Sequence, residues 1–558
     1  MQYSNIPLAQ MVVAYCEANK IQHIVISPGS RNAPLTIGFT FNPSFKCYSI
    51  VDERCAAFFA LGIAQQLQEP VALLCTSGSA LLNYYPAISE AFFSDIPLVV
   101  LSADRPEDRI GIGDGQTIYQ ENVYGKHVVA AANLKSGIDS GLLEHNAREI
   151  ERTLSTCLKS NGPVHINVPF NEPLYGRTDK LLVPLPKALT QEQHSKLDSE
   201  QERRFNELWK TSKKKMLLVG VLNPNELDQE VIDFLAQDDG LMVFTETTSN
   251  LVNDEFFPSI DKIIAPLNES GFKDLQPDLL VTMGGLVVSK KIKAFLRDFP
   301  AKEHWHIGTN RANDTFFYLT EHVTASPNAW FKKIKTNLQS TDNSTYRTSW
   351  KKIANHRDML HNDYMKEIPF SDLLVFHMLL QQLPKDLLIQ MGNSSTIRYA
   401  QLFRWNHNSS MFCNRGTSGI DGSTSTAIGA AVVSRRATLF VTGDLSFFYD
   451  SNALWNNYIP NNFKILLINN SGGGIFRILP GHKNTDNFDT YFETKHHLNA
   501  QHLCKMFGFQ YLSASNEADL NNQLKTFFRI EDTPVLLEVS TPSQLNDEVL
   551  LNYFEFIK

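Results

Sequence analysis

Leu439–Phe440–Val441–Thr442–Gly443–Asp444 is an apolar run that ends in an acid, and Ile465–Leu466–Leu467–Ile468–Asn469–Asn470 is a second run that ends in amides. The segment between the two runs is long enough for one short crossover helix. A strand–helix–strand unit of this kind brings the ends of two parallel strands side by side. Asp444 and Asn470 are therefore predicted to meet at the carboxyl edge of a sheet, where open α/β sheets bind their ligands.

This predicted edge has the chemistry of a phosphate site that includes a metal ion. Asp444 and Asn470 offer side-chain oxygens, and the loop Ser471–Gly472–Gly473–Gly474 can bring backbone groups close to a ligand. Hard oxygen donors beside a small glycine loop suit Mg²⁺ that is shared between the protein and a bound phosphate.

The composition is that of an ordinary globular protein. The chain has 558 residues, of which 43% are hydrophobic and 20% charged, which predicts about three or four domains. A net charge of −8 without long basic runs argues against a general nucleic-acid surface, and no apolar stretch approaches the roughly 18 residues that cross a bilayer. The first residues lack a signal-peptide pattern, so a cytoplasmic location is expected. Seven unpatterned cysteines agree with a reducing compartment: Cys16, Cys47, Cys55, Cys75, Cys157, Cys413 and Cys504.

Short apolar runs alternate with helix-like segments along the chain, which is the pattern of doubly wound α/β domains. In residues 1 to about 180 the runs are His23–Ile26, Cys47–Val51, Val71–Cys75, Leu98–Leu101 and Val164–Pro169. Polar passages at about 176–215 and 335–366 are predicted to be linkers. Three α/β domains with parallel sheets follow, and their predicted bounds are 1–180, 181–345 and 346–558.

Four arginines lie close after predicted strand ends: Arg31, Arg105, Arg398 and Arg415. Such a set on a net acidic chain suggests small substrates with several negative charges, because an arginine fork pairs well with a carboxylate. For each loop the alternative is a plain surface turn, in which an exposed ion pair contributes little. Lys290 and Lys291 extend this set or form a solvated pair.

Glu53 lies where a predicted strand passes into a helix. A carboxylate in the first turn is favoured by the helix dipole, so simple capping explains it. The functional alternative is a buried acid that forms a hydrogen bond with a ring nitrogen of a cofactor.

The motifs together resemble a known enzyme family. Gly443–Asp444 followed by Asn469–Asn470 resembles the thiamine diphosphate motif, and Glu53 is similar to the activating glutamate of enzymes that use this cofactor. More narrowly, six segments resemble the 2-succinyl-5-enolpyruvyl-6-hydroxy-3-cyclohexene-1-carboxylate synthase family of menaquinone biosynthesis. They are Ser27–Pro28–Gly29–Ser30–Arg31, Asp52–Glu53–Arg54, Cys75–Thr76–Ser77–Gly78, Ala103–Asp104–Arg105–Pro106, Asn414–Arg415–Gly416 and Gly473–Gly474–Ile475–Phe476.

The resemblance implies a pyrimidine-binding domain at 1–180, a central domain without cofactor at 181–345 and a diphosphate-binding domain at 346–558. It implies that the cofactor lies between the first domain of one subunit and the last domain of another. A homodimer would then be the smallest active unit, and members of this family often pair two such dimers as a homotetramer, so either assembly is expected. The implied reaction is a carboligation in which 2-oxoglutarate loses carbon dioxide and the succinyl unit joins isochorismate.

The resemblance also assigns roles to residues. The implied catalytic residues are Glu53, Gln116, Arg398 and Arg415. The implied contacts of thiamine diphosphate are Pro28, Glu53, Asn83, Ser394, Ile420, Asp444, Asn470, Gly472, Ile475 and Phe476. Mg²⁺, or Mn²⁺ in its place, would bind Asp444, Asn470 and the Gly472 carbonyl. The implied substrate contacts are Ser30, Arg31, Arg105, Gln116, Lys290, Ser394, Arg398 and Arg415. For Ile420, the wedge that bends the cofactor, the alternative is a core isoleucine.

Some residues depart from the expected pattern. Leu445 replaces the glycine of the broader cofactor family, Cys55 replaces a small hydroxyl residue, and Lys291 stands where arginine is frequent. Three other functions remain open from the sequence. They are an acetolactate-synthase-like carboligase, a catalytically silent homologue and a nucleotide-binding α/β protein.

Overall fold

A computed structural model of the chain describes residues 2–189, 198–336, 344–405, 408–478 and 485–558. Three parallel sheets with helices between their strands confirm the predicted α/β class. The described residues form two compact units. The first contains those within Met1–Gln193, Gly416–Thr438 and Ser446–Phe463, and the second those within His194–Arg415, Leu439–Leu445 and Lys464–Lys558. The domain bounds 1–180, 181–345 and 346–558 stay predictions.

The amino-terminal sheet lies in the first unit. Its strands and a short antiparallel pair are β1 (Tyr3–Ser4), β2 (His23–Ile26), β3 (Lys46–Ser49), β4 (Val71–Cys75), β5 (Leu98–Asp104), β6 (Ala130–Asn133), β7 (Val164–Pro169) and β8 (Arg177–Thr178). The helices are α1 (Pro7–Ala18), α2 (Ala33–Thr40), α3 (Glu53–Leu67), α4 (Ala80–Asn83), α5 (Tyr85–Ser94) and α6 (Ser140–Ser160). The parallel strand order is β3-β2-β4-β5-β7-β6, so the chain direction across the sheet reverses between β2 and β4. Four of the five predicted apolar runs lie within strands of this sheet, and the fifth, Cys47–Val51, overlaps β3 and extends two residues beyond it.

The central sheet belongs to the second unit. Its strands are β9 (Lys215–Val219), β10 (Leu241–Phe244), β11 (Leu279–Met283), β12 (Glu303–Ile307) and β13 (Glu321–Val323), in the parallel order β10-β9-β11-β12-β13. The helices are α7 (Ser199–Thr211), α8 (Gln229–Gln237), α9 (Ile260–Ile264), α10 (Glu269–Leu275), α11 (Lys290–Asp298) and α12 (Pro327–Lys335). Leu217 packs into one apolar core and Met216 into another. Both faces of the sheet are therefore covered, as a continuous apolar strand predicts.

The carboxyl-terminal sheet has the strands β14 (Leu388–Met391), β15 (Ser410–Cys413), β16 (Thr438–Gly443), β17 (Phe463–Asn469), β18 (Gln510–Ala514) and β19 (Val535–Ser540). The helices of this part are α13 (Tyr346–Tyr364), α14 (Asp372–Gln382), α15 (Ser395–Ala400), α16 (Ser423–Val433), α17 (Asp444–Tyr449), α18 (Ile475–Ile478), α19 (Phe488–Tyr491), α20 (Gln501–Phe507), α21 (Glu517–Arg529) and α22 (Asn546–Phe556). The strand order β15-β14-β16-β17-β19-β18 puts β16 beside β17 and reverses direction between β14 and β16. The predicted adjacency of the two opening runs is confirmed.

Each of the two predicted linkers contains a helix that packs into an apolar core, which the sequence did not predict. Helix α7 lies in the first of them and buries Phe205 and Trp209 in a central core. Helix α13 lies in the second and buries Tyr346 and Trp350. Both helices are polar outside one apolar stripe, so their average composition hides their contribution to the core. Residues 190–197 and 337–343 of these passages lie outside the described residues.

Helices α3 and α16 pack closely within the first unit, because each has a glycine at the contact. A Cβ at Gly62 would lie 2.0 Å from the Thr426 carbonyl oxygen, and one at Gly429 would lie 2.0 Å from the Phe59 carbonyl oxygen. The close contact thus requires both glycines, and it fixes the helix that begins with Glu53.

Candidate active site

In the first unit, the loops after β2 and β4 meet at the point where strand order reverses. A Cβ at Gly29 would lie 2.3 Å from the Thr76 side chain, so only glycine fits there. The Arg31 backbone N–H donates to Thr76 Oγ1 at 3.3 Å. Pro28 and Ser30 are exposed on this loop. Ligands of α/β sheets bind at such a reversal, which agrees with the predicted role of the loop.

Arg31 and Arg105 converge on one carboxylate. The buried Arg31 guanidinium donates to the Phe170 carbonyl and to Glu172 Oε1, each at 3.0 Å. Arg105 lies 3.9 Å from the same carboxylate and donates to the Gly115 carbonyl at 3.2 Å. Burial, together with the charge of Arg105, lowers the pKa of Arg31. Two cations around a single exposed acid form a place that a ligand carboxylate could enter, and the sequence did not point to Glu172.

A buried polar network lies next to Arg105. Asn167 accepts hydrogen bonds from Ser102 and Gln120, each at 2.8 Å, and donates to Asp104 Oδ2 at 2.7 Å. Asp104 in turn accepts the Arg105 backbone N–H at 2.7 Å. The network fixes the end of β5 and therefore the position of the Arg105 backbone, from which the side chain extends.

Gln116, on a loop, and Asn83, in a short helix, are exposed residues of the same unit. Gln116 has φ +55°, a conformation that is uncommon outside glycine and that is often found at functional sites. Its backbone approaches within 3.2 Å of the position that a Cβ on Gly78 would take. Asn83 ends α4 and donates to the Ser79 carbonyl at 3.4 Å.

Glu53 is the first residue of α3, after the N-cap Asp52, which accepts the Cys55 N–H. The Glu53 carboxyl is half-buried, and burial raises its pKa, with a further contribution from the charge of Asp52. Asp450 fixes the following turn, because it lies 3.6 Å from Cys55 Sγ and 3.5 Å from the Arg54 guanidinium. The position of Glu53 alone agrees with either helix capping or a functional acid. Its raised pKa favours the functional acid, because a carboxyl group with a raised pKa holds a proton more readily.

Glu90 holds the loop that leads to Ile420. This carboxylate is 1% exposed and accepts the backbone N–H groups of Gly416 and Thr417, each at 2.6 Å. A Cβ at Gly416 would lie 2.5 Å from the Glu90 carbonyl oxygen, so the loop needs glycine here. Ile420 is half-buried, and its carbonyl accepts the Ser446 hydroxyl at 3.1 Å. Glu90 is far from this loop in sequence, and no motif indicated it.

In the second unit, Asp444 and the glycine loop are in direct contact. Asp444 begins α17, and its Oδ2 accepts the Gly472 N–H at 3.0 Å. Gly472 has φ +154°, and a Cβ there would lie 2.7 Å from the Glu493 carbonyl oxygen. His496 Nε2 lies 3.2 Å from the same Asp444 oxygen. Ile475 and Phe476 follow in the first turn of α18, and both are half-buried.

Asn470 has an oxygen that fits a metal ion. Its Nδ2 donates to Asp372 at 2.9 Å, which fixes the orientation of the amide. Oδ1 is then buried and has no hydrogen-bond partner among the described residues. A buried acceptor without a donor, in the same loop region as the Asp444 carboxylate, suits a hard cation with oxygen ligands. Burial also raises the pKa of Asp372 to about 6.

Arg398 and Arg415 lie near each other in the second unit. Burial and the charge of Arg415 lower the pKa of Arg398, whose guanidinium donates to the Ser394 carbonyl at 2.6 Å. Arg415 is buried and donates to Asn393 Oδ1 at 2.7 Å. Ser394 has φ +65° and is the N-cap residue just before α15. Two cations brought together in a partly buried region prefer a shared anion.

The lysines at the start of α11 have different surroundings. Lys290 and Lys291 are exposed, and the Lys291 ammonium lies 5.2 Å from the Phe554 ring centroid. Lys293 is half-buried, and burial together with the charge of Arg415 lowers its pKa. The sequence pointed to Lys290 and missed Lys293, because burial cannot be read from a run of lysines.

Within the described residues, no three His, Cys, Asp or Glu side chains cluster as metal ligands. A site built from one carboxylate, one amide and a backbone carbonyl would not form such a group. No described helix has both the length and the apolar character that crossing a membrane requires.

Comparisons with known proteins identify the family to which the chain belongs. The family model of the N-terminal TPP binding domain of thiamine pyrophosphate enzymes matches residues 6–127, and that of the C-terminal TPP binding domain matches residues 391–539. A solved structure of benzoylformate decarboxylase from Polynucleobacter necessarius is similar with a TM-score of 0.72, covering 96% of this chain and 99% of that one. Its sequence identity is 15%, so this likeness concerns the fold alone.

Full-length relatives narrow the family. The chain is 53% identical over 555 residues to the 2-succinyl-5-enolpyruvyl-6-hydroxy-3-cyclohexene-1-carboxylate synthase of Flavobacterium psychrophilum, covering 100% of each. It is 51% identical over 577 residues to the synthase of Christiangramia forsetii, again covering 100% of each. It is 37% identical over 573 residues to that of Porphyromonas gingivalis, covering 100% of this chain and 98% of the relative. The chain thus belongs to the 2-succinyl-5-enolpyruvyl-6-hydroxy-3-cyclohexene-1-carboxylate synthase family of thiamine pyrophosphate enzymes.

Proposed function

We propose that the chain decarboxylates 2-oxoglutarate and adds the resulting succinyl carbanion equivalent to isochorismate, with thiamine diphosphate and Mg²⁺, in menaquinone biosynthesis. The shared name of its full-length relatives supports this reaction. The observation that carries the cofactor chemistry is the Asn470 Oδ1 atom, which is buried without a partner among the described residues while Asp372 holds its amide nitrogen.

The second unit would hold the metal ion. Asp444 and Asn470 would bind Mg²⁺, or Mn²⁺ in its place, with side-chain oxygens, and Gly472 would bind it with its carbonyl. Thiamine diphosphate supplies, when bound, a thiazolium ring that accepts the electron pair released on decarboxylation. Proposed further contacts with the cofactor are Pro28, Asn83, Ser394, Ile420, Ile475 and Phe476.

Glu53 would hold a proton on its carboxyl and share it with a ring nitrogen of the cofactor. Its half-buried position and raised pKa support this role, since a group that transfers a proton works best when its pKa is closer to neutrality. The arginines would bind the substrate carboxylates, and each desolvated charged contact is worth roughly 1.5–3 kcal/mol. The proposed substrate contacts are Ser30, Arg31, Arg105, Gln116, Lys290, Ser394, Arg398 and Arg415.

The proposal includes an assembly and a location. We propose that the active enzyme is a homodimer or a homotetramer in which subunits share the cofactor. Seven free cysteines support a cytoplasmic location, because a reducing compartment keeps thiols unpaired.

The test is to mix the purified protein with thiamine diphosphate, Mg²⁺, 2-oxoglutarate and isochorismate and to identify the product by mass. We expect carbon dioxide release and a product that contains both carbon skeletons, minus carbon dioxide. Pyruvate in place of 2-oxoglutarate should give little turnover. Strong turnover of pyruvate would contradict the substrate assignment and would favour an acetolactate-synthase-like activity.

A further inference from the structure

The segment Glu246–Asn250 follows strand β10 of the central sheet and links three elements of the second unit. The Glu246 carboxylate accepts the backbone N–H of Val288 on one oxygen at 2.6 Å and that of Ser289 on the other at 2.8 Å. These two residues directly precede α11. Glu246 therefore holds the start of the helix that carries Lys290 and Lys293.

The same segment contacts the strand that leads to Arg415. Asn250 Oδ1 accepts the Met411 N–H at 2.7 Å, and Asn250 Nδ2 donates to the Met411 carbonyl at 2.9 Å. Thr247 N–H donates to Gln401 Oε1 at 3.1 Å, just after α15. Segment 246–250 thus bonds to the start of α11 and to β15, from which the chain continues directly into Arg415.

Charged groups around Glu246 are part of this arrangement. Glu246 is 4% exposed, and the charge of Arg415 favours its ionised form. Lys293 on α11 is close enough for the Glu246 charge to raise its pKa against the effect of burial. Asp261 on α9 accepts the Ser289 hydroxyl and acts on Glu246 as a like charge. The Glu246 carboxylate thus interacts electrostatically with both Arg415 and Lys293.

We propose that Glu246 is a positioning residue for the anionic-substrate site, that its ionised carboxylate fixes Arg415 and α11 for substrate binding, and that its protonation weakens that binding. This inference rests on the proposed function. The geometry favours the ionised form, because each carboxylate oxygen accepts a backbone N–H. A proton on either oxygen makes that oxygen a poorer acceptor and weakens its hydrogen bond.

The expected pH range follows from the environment of the group. Burial raises the pKa of Glu246 to about 7, the backbone N–H groups and Arg415 oppose this shift, and Asp261 adds to it. The KM for at least one substrate is therefore expected to be constant above pH 8. We expect it to rise by about tenfold between pH 8 and pH 6, as one protonation near neutrality requires.

The experiment compares four proteins loaded with thiamine diphosphate and Mg²⁺. They are the wild type, Glu246→Gln, Asp261→Asn and the control Glu226→Gln. Glu226 is in the same part of the chain and also accepts a backbone N–H, that of Asn223, at 2.8 Å. The measurements are circular dichroism, the affinity for thiamine diphosphate, and kcat and KM for each substrate from pH 6 to 9.

Glu246→Gln is expected to bind thiamine diphosphate like the wild type, to raise KM about tenfold at pH 8 and to lose the KM change near pH 7. Asp261→Asn removes a negative charge near Glu246 and should therefore move the KM change to lower pH. This variant tests the role of Glu246 even if Glu246→Gln does not fold. Glu226→Gln should follow the wild-type profile. A folded Glu246→Gln with wild-type KM values and pH profile, or an unmoved profile in Asp261→Asn, would overturn this inference while leaving the reaction intact. If the wild type forms no product, the proposed function is wrong and the inference fails with it.

Discussion

The amide nitrogen of Asn470 donates a hydrogen bond to the Asp372 carboxylate at 2.9 Å. Asp372 also accepts the Thr541 hydroxyl at 2.6 Å and the Asn546 amide at 3.0 Å. One buried acid therefore sets which end of the Asn470 side chain is the nitrogen, and the oxygen is left buried without a hydrogen-bond partner among the described residues. In the proposed metal site, Asp372 would orient Asn470 without being one of the ligands.

Asp372→Asn should weaken metal binding. The new amide cannot accept at both of its ends, so Asn470 would lose its fixed orientation and turn its oxygen away from the site. Loss of such a supporting contact typically costs about 10–100-fold in metal affinity. Titration of Mg²⁺ into the protein with thiamine diphosphate, followed by calorimetry, measures this. Asp363→Asn, the same change at an exposed surface pair with Lys366, is the control, and an equal Mg²⁺ affinity in both variants would contradict the role of Asp372.

Glu53→Gln should abolish most turnover and leave cofactor binding intact. A glutamine has nearly the same shape but cannot hold an exchangeable acidic proton. Loss of a general acid or base costs about 10²–10⁴-fold in rate. The measurement is kcat together with the thiamine diphosphate affinity. Glu69→Gln, an exposed residue just beyond the other end of α3, should behave like the wild type, and a fully active Glu53→Gln would reduce Glu53 to a helix cap.

Stability should fall with pH below 6.5 because of two histidines in the central sheet. Thr282 Oγ1 lies 3.0 Å from both His304 Nε2 and His306 Nδ1. The hydroxyl can accept from one ring and donate to the other, or accept from both, so both contacts form with neutral rings. Burial lowers the pKa of each histidine from 6.5 to about 4.

The sign of the effect follows from these values. The unfolded chain binds protons at these rings near pH 6.5, and the folded chain binds them only near pH 4. The stabilising contribution is therefore fully present above pH 6.5 and is lost as the pH falls toward 4. At pH 5 the loss is roughly 2 kcal/mol for each histidine. Urea unfolding at pH 7.5 and pH 5 checks this, and His304→Gln should reduce the pH dependence while exposed His356→Gln should not.

Gly62→Ala should destabilise the first unit. The added methyl group would meet the Thr426 carbonyl oxygen at 2.0 Å, and backbone cannot move aside as a side chain can. Overpacking of this kind costs about 1–3 kcal/mol, which exceeds the gain that alanine brings to a helix. A lower melting temperature is the expected result. Gly115→Ala is the control, because a Cβ there meets no atom within 4 Å, and equal melting temperatures for the two variants would contradict the close helix contact.

The sequence predicted the strands that consist of apolar residues, and it predicted the adjacency of β16 and β17. It did not predict β12, Glu303–Ile307, because two histidines interrupt its apolar pattern and become acceptable only through the Thr282 hydroxyl. It missed α7 because only Phe205 and Trp209 of that helix are buried. A local sequence pattern gives no information about a contact that forms only when the chain folds.

The same limit applies to the candidate site. Motifs were enough to predict candidate residues at strand ends, since ligand binding at the carboxyl edge of a parallel sheet is a general property of the fold. The acids that position them, Asp372, Glu90 and Glu246, are remote in sequence from the loops that they hold. Their roles depend on tertiary contacts, and a single sequence does not contain that information.

The packing of α16 on α3 affects how this protein is made in the cell. Ribosomes synthesise the chain from its amino terminus, and its first parts usually fold while later parts are still being synthesised. Helix α16 ends at Val433, however, so its packing on α3 cannot form until most of the polypeptide has emerged. Until then, the surface of α3 that packs on α16 is open to other proteins, and chaperones that shield nascent chains would have a long interval in which to act.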